Sequence, residues 1–101
     1  MPRIIAILFE DDPDAAYIAV ELDSPEEPEI LFMKGPGFEK RMGPFPLPYA
    51  EATFSRWNYR RVKNPPHVAL NDARALLSAM RRLKPDRNGG AVSVSGREER
   101  A

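Results

Sequence analysis

Three apolar runs joined by short polar turns constrain this 101-residue chain more than any other feature. Ile4-Ile5-Ala6-Ile7-Leu8-Phe9 is apolar at every position, as suits a strand covered on each face by the protein itself or one whose second face meets a partner. Tyr17 to Leu22 alternates, with Ile18, Val20 and Leu22 on one face, which predicts a half-buried second strand. Ile30-Leu31-Phe32-Met33 is the third run. The turns between them, Glu10 to Asp14 and Asp23 to Glu29, are rich in acids and proline. Connections of that length cannot hold a crossover helix, so the three strands must form an antiparallel meander.

The second constraint lies downstream, in residues 67 to 84. Asn71 and Asp72 are N-capping types, Ala73, Leu76, Leu77, Met80 and Leu83 recur at helical spacing, and Arg81, Arg82 and Lys84 suit a helix C-terminus. The pattern predicts a helix over 71–84 that Pro85 stops. Between meander and helix the pattern is weaker. Prolines at 44, 46 and 48 and the Gly35-Pro36-Gly37 run predict an ordered surface loop over 34–48, with Phe45 and Leu47 closing the rim of the core. Thr53, Phe54, Trp57, Tyr59 and Val62 are pleated-surface types, and 49–62 is expected to be a strand. Asn88-Gly89-Gly90 predicts a tight turn before a short edge strand at 91–95. The fold class is therefore α+β: a small antiparallel sheet of three to five strands with one main C-terminal helix packed on one face, a single domain over 1–96 and a disordered tail at 97–101.

Charge is divided along the chain. Residues 1–30 hold nine acids against Arg3, and residues 31–101 hold fourteen bases against six acids, so a net charge of zero conceals halves of −8 and +8. The two halves either neutralise each other across neighbouring faces or present two surfaces to partners. With no cysteine, disulfides, thiolate nucleophiles and cysteine-rich zinc sites are excluded. The apolar run at 4–9 is far shorter than the ~20 residues of a membrane span, and acids follow it where a signal peptide would place small residues. The expectation is a soluble, unprocessed, cytoplasmic protein that does not engage membranes.

His67 is the single histidine, so a multi-histidine metal site cannot be built within one chain and any His-dependent mechanism rests on that one side chain. The stretch His67-Val-Ala-Leu-Asn-Asp72-Ala-Arg-Ala-Leu-Leu77 resembles the last motif of the DEDDh exonucleases, a histidine followed five residues later by an aspartate. That resemblance implies a general base at His67 and a metal-binding carboxylate at Asp72. The family's opening Asp-x-Glu after a first strand has no counterpart here, where Glu10-Asp11-Asp12 follows Phe9. The same acidic turn, with Asp14, resembles the acidic corner of a response-regulator receiver domain, which implies a magnesium site. Ile30 to Met33 ends in Lys34 where that family's strand delivers an aspartate, and the repeated strand-helix units are absent.

Two surfaces remain as candidates. The acids Glu10, Asp11, Asp12 and Asp14 form the first, as a docking site for a basic protein partner. The second mixes phosphate-neutralising and base-stacking groups in Arg56, Trp57, Tyr59, Arg60, Arg61 and Lys63, extended by Arg74 and Arg81 of the helix. The expected function is a small non-enzymatic protein-binding module, a regulator, adaptor or inhibitor of phage or plasmid type, with no cofactor, no metal and no catalytic residue. The alternative is nucleic-acid binding through 56–63, and a metal-dependent nuclease using His67 and Asp72 is the third reading.

Overall fold

The short turns enforce the meander that they predict. In a computed structural model describing residues 1–10 and 13–83, β1 (Arg3–Leu8), β2 (Tyr17–Leu22) and β3 (Glu29–Lys34) pair antiparallel in succession. A fourth strand, β4 (Lys40–Pro46), returns along β3, and a three-residue β5 (Tyr59–Arg61) pairs with β1. The sheet order is β4-β3-β2-β1-β5. Two helices complete the described residues, α1 (Leu47–Phe54) and α2 (Ala73–Leu83), with a single 3-10 turn at Pro13–Ala15.

Cross-strand register sorts the side chains into rows, because directly opposed residues share a face. On one face Arg60, Ile7, Ile18, Met33 and Arg41 form a row, and Ile4, Val20 and Leu31 form the next. The apolar members of both pack with Leu76, Ala79 and Met80 of α2 and with Phe38, Val62 and Val68. On the other face Tyr59, Leu8, Tyr17, Lys34 and Lys40 make one row, and Arg61, Ala6, Ala19, Phe32 and Met42 the next. Here the core is closed by Ala50 and Phe54 of α1. Ala6 and Ala19 leave room for the Phe54 ring, which meets Phe32 edge-on at 5.9 Å and stacks on Tyr59 at 5.4 Å. A bulge between Ile4 and Ala6 inserts Ile5 as an extra residue, and Ile5 packs half-buried against this second cluster.

The α+β class, the antiparallel sheet and the C-terminal helix on one face hold, and four expectations change. The segment 34–48 is not a loop throughout, because Lys40 to Pro46 is an edge strand. Proline is tolerated there since an edge has one side without ladder bonds, and Gly43, at φ +109°, sits at the register shift that opposes Phe45 to Ile30. The segment 49–62 is not one strand: it is split between α1 and β5 by a turn at Ser55–Trp57. Pro48 fits the first helical turn, and only Ala50 and Phe54, four residues apart, need burial. β2 is buried on both faces along Tyr17–Val20 rather than half-buried, because α1 covers what would otherwise be its wet side. α2 begins at Ala73, not 71; Asp72 caps it by accepting a hydrogen bond from the Ala75 N–H at 3.0 Å. Ala73 itself is exposed, and Leu76, more than the half-buried Leu77, is the fully buried leucine. Phe45 and Leu47 pack on the α1-side cluster as rim residues. The helix stop at Pro85, the edge strand at 91–95 and the tail at 97–101 lie outside the described residues.

Candidate interaction surface

α1 starts where β4 ends and carries its last residue, Phe54, toward Phe32 and Tyr59. The sheet is more open on this side at the Lys34 and Lys40 ends of β3 and β4, where Lys34 is partly exposed and Lys40 exposed. Met42, opposite Phe32 in the second row, remains 39% exposed there. Trp57, in the turn after α1, borders the same row: its ring meets Tyr17 edge-on at 5.6 Å and stays 36% exposed. Lys34 lies across the Tyr17 ring with its ammonium 5.6 Å from the centroid. The strip from Trp57 through Tyr17 and Lys34 to Lys40 thus crosses three strands, roughly 10 Å of sheet. At the other end of α1, Tyr49 is 56% exposed beside Phe45, their rings 4.7 Å apart.

The acidic turn is drawn into pairs with the basic half of the chain. Glu10 lies 3.3 Å from Lys34, and Asp14 receives two hydrogen bonds from the Arg81 guanidinium, at 2.9 and 2.8 Å. Donation of these hydrogen bonds to Asp14, followed by the Asp14 charge, raises the Arg81 pKa above its ordinary value and keeps the guanidinium cationic. Asp11 and Asp12 lie outside the described residues. Glu26, Glu27 and Glu29, at the other end of the sheet, and Glu39, next to Lys40, are exposed and have no ion-pair partner among the described residues.

The basic-aromatic segment is divided between the two faces. Arg60 points to the α2 side, where it donates to the Leu83 carbonyl. Arg61 points to the α1 side, lies over the Phe54 ring at 5.3 Å and pairs with Glu51 at 3.0 Å. Trp57 and Tyr59 share the α1 side with Arg61. Arg56, Lys63 and Arg74 are exposed and have no side-chain partner among the described residues, whereas Arg81 is held by Asp14. The structure therefore brings Trp57, Tyr59 and Arg61 together and separates Arg60 and Arg81 from them.

His67 and Asp72 are engaged in different structural tasks. The His67 backbone bridges to Arg3, and its Nδ1 sits 3.0 Å from the Met1 carbonyl. Asp72 caps α2. Among the described residues no three His, Asp or Glu side chains gather closely enough to hold a metal ion, and no helix is long and apolar enough to cross a membrane. No family model, curated protein or solved structure matches this chain.

The surface residues absent from the sequence reading are Lys34, Lys40, Met42 and Tyr49. Their signal is the β3–β4 hairpin, and without it nothing in the sequence places Lys34 opposite Lys40. The separation of Arg60 from Arg61, by contrast, follows from strand alternation alone.

Proposed function

We propose that this chain is a small non-enzymatic protein-binding module acting as a regulator, adaptor or inhibitor. The observation that carries the reading is the exposure of Met42, Tyr49 and Trp57 along the margin of the α1 side. Methionine and aromatics are the types enriched at protein interfaces, and Tyr and Trp supply most of the energetic anchors there. A single exposed apolar side chain is ordinary; three bordering one thinly covered face are a surface that a partner's burial would stabilise. The ion pairs at Lys34, Arg61 and Arg81 leave fewer charges to displace on docking.

Nucleic-acid binding is the second reading, favoured by exposed Arg56 next to exposed Trp57 in one turn. It has less support because Arg60, Arg61 and Arg81 already hold acceptors within the chain. A photo-crosslinking residue placed at Tyr49, in cells of the source organism, tests the first reading. A discrete protein adduct, whose recombinant form binds the wild type and binds Trp57→Ala more weakly, is the expected result. Adducts to nucleic acid alone, or none, would count against a protein partner.

A further inference from the structure

We infer that the open corner of the α1 side receives an acidic segment of the partner, whose carboxylate bridges Lys34 and Lys40 while apolar side chains on either side of it cover Met42 and Trp57. This inference rests on the protein-binding reading above and names the chemistry of the partner. Lys34 and Lys40 are directly opposed in the β3–β4 register, and both point to the α1 side because Tyr17, opposite Lys34, belongs to that core. Directly opposed side chains on a sheet have Cβ atoms ~5 Å apart, and like charges so placed are destabilising. Glu10 compensates Lys34 from the β1–β2 turn, while Lys40 has no acceptor among the described residues. The two oxygens of one carboxylate can accept from both ammonium groups, so an anion neutralises the Lys40 charge that the fold leaves uncompensated.

The surroundings define the rest of the occupant. Met42 follows Lys40 by two residues on the same strand and lies beside it on the same side, half-open to solvent. Trp57 closes the opposite end of the strip against Tyr17, with the cationic Arg56 next to it in the chain. A segment alternating acidic and apolar residues matches this order of charge, apolar surface and charge. A polynucleotide would need a longer track of free cations, and Arg60 and Arg81 lie on the other side of the sheet or in pairs.

The test uses the full chain and a short fluorescein-labelled peptide of alternating glutamate and leucine, with the glutamine-for-glutamate peptide and oligothymidylate as comparators. Backbone amide shifts are expected to move at Lys34, Lys40, Met42 and Trp57, with affinity falling as salt rises. Lys40→Glu should weaken the acidic peptide by about tenfold or more, and Lys40→Gln by less. The free Lys40→Glu protein should melt at or above the wild-type temperature, since the substitution removes a like-charge pair. Equal binding of the glutamine peptide, shifts confined to other surfaces, or tighter binding of oligothymidylate on the same row would each overturn the inference. A Tyr49 protein adduct that persists unchanged in Lys40→Glu would overturn it while sparing the protein-binding reading. Peptide binding without any protein adduct in cells would count against the protein-binding reading, and the inference would fall with it.

Discussion

The two sides of this sheet are covered by helices that work in different ways. α2 buries Leu76, Ala79 and Met80, adds the half-buried Leu77 and Leu83, and shares its cluster with Phe38 from the β3–β4 connection and Val62 and Val68 from the β5–α2 connection. α1 buries only Ala50 and Phe54, and the rest of its side is closed by aromatic rings in contact: Phe45 with Tyr49 and Phe32, Phe54 with Phe32 and Tyr59, Trp57 with Tyr17. One side is a continuous aliphatic core of redundant contacts. The other is a thin cover hung on one phenylalanine, and its incompleteness leaves Met42, Lys34, Lys40 and Trp57 at the surface. Thin coverage is where a small domain has area to give to a partner, since the well-buried side has none to spare.

That contrast breaks most easily at Phe54. Phe54→Ala should cost about 3 to 5 kcal/mol in urea unfolding, since a large ring leaves a cavity above Ala6 and Ala19 that nothing nearby can fill. Hydrogen exchange should then show amide protection lost from α1 while α2 keeps its own. A cost under about 1 kcal/mol would mean that the other rings hold α1 without its anchor. Leu76→Ala, on the α2 side, should cost about 2 to 5 kcal/mol, but spread over the molecule, because Ala79 and Met80 keep the helix seated. Selective loss of α2 protection in that variant would show that the two sides differ less than their contacts indicate.

Gly35 sharpens the comparison at the junction of β3, the acidic turn and α2. A Cβ there would stand 2.7 Å from the Asp14 carbonyl oxygen, 3.0 Å from the Met80 methyl and 3.1 Å from Phe38. Since one of these contacts is backbone, Gly35→Ala should cost about 1 to 3 kcal/mol through overpacking. The strain should register in α2 exchange and leave α1 unaffected. Disturbance of α1 instead would place the coupling through the sheet rather than at this junction.

The same contrast explains what the sequence made legible. The meander could be read because each of β1 to β3 is a short apolar run between turns, and α2 because its apolar face repeats through three turns. β4 was hidden by Pro44 and Pro46, residues that argue against a strand unless it is known to be an edge. α1 was hidden because two buried positions in eight leave no period to detect, and its aromatics divide between inward Phe54 and outward Tyr49. β5 is too short to carry a pattern. At the site, the acidic and basic blocks could be counted but not paired. Asp14 meeting Arg81, 67 residues away, is a product of topology, and so is the opposition of Lys34 and Lys40.

The smallest expected effect lies at the two helix starts, which are capped differently. Asp72 accepts from the Ala75 N–H, whereas Pro46 precedes α1 with no side-chain cap bond. Asp72→Ala should therefore cost about 1 kcal/mol, the usual value of a lost N-cap. At the other helix, Pro46→Ser gains a hydroxyl able to cap α1, worth up to roughly 1 kcal/mol. It also frees the unfolded chain from the proline ring, which costs about 0.4 to 1 kcal/mol. These terms oppose each other, so Pro46→Ser should change stability by less than about half a kcal/mol in urea unfolding. A clear gain would identify the missing cap as the reason α1 is the weaker cover. A clear loss would assign proline at this position the task of fixing the direction in which the chain leaves the β4 edge and enters α1, and the contrast between the two sides would then begin in the backbone rather than in the buried side chains.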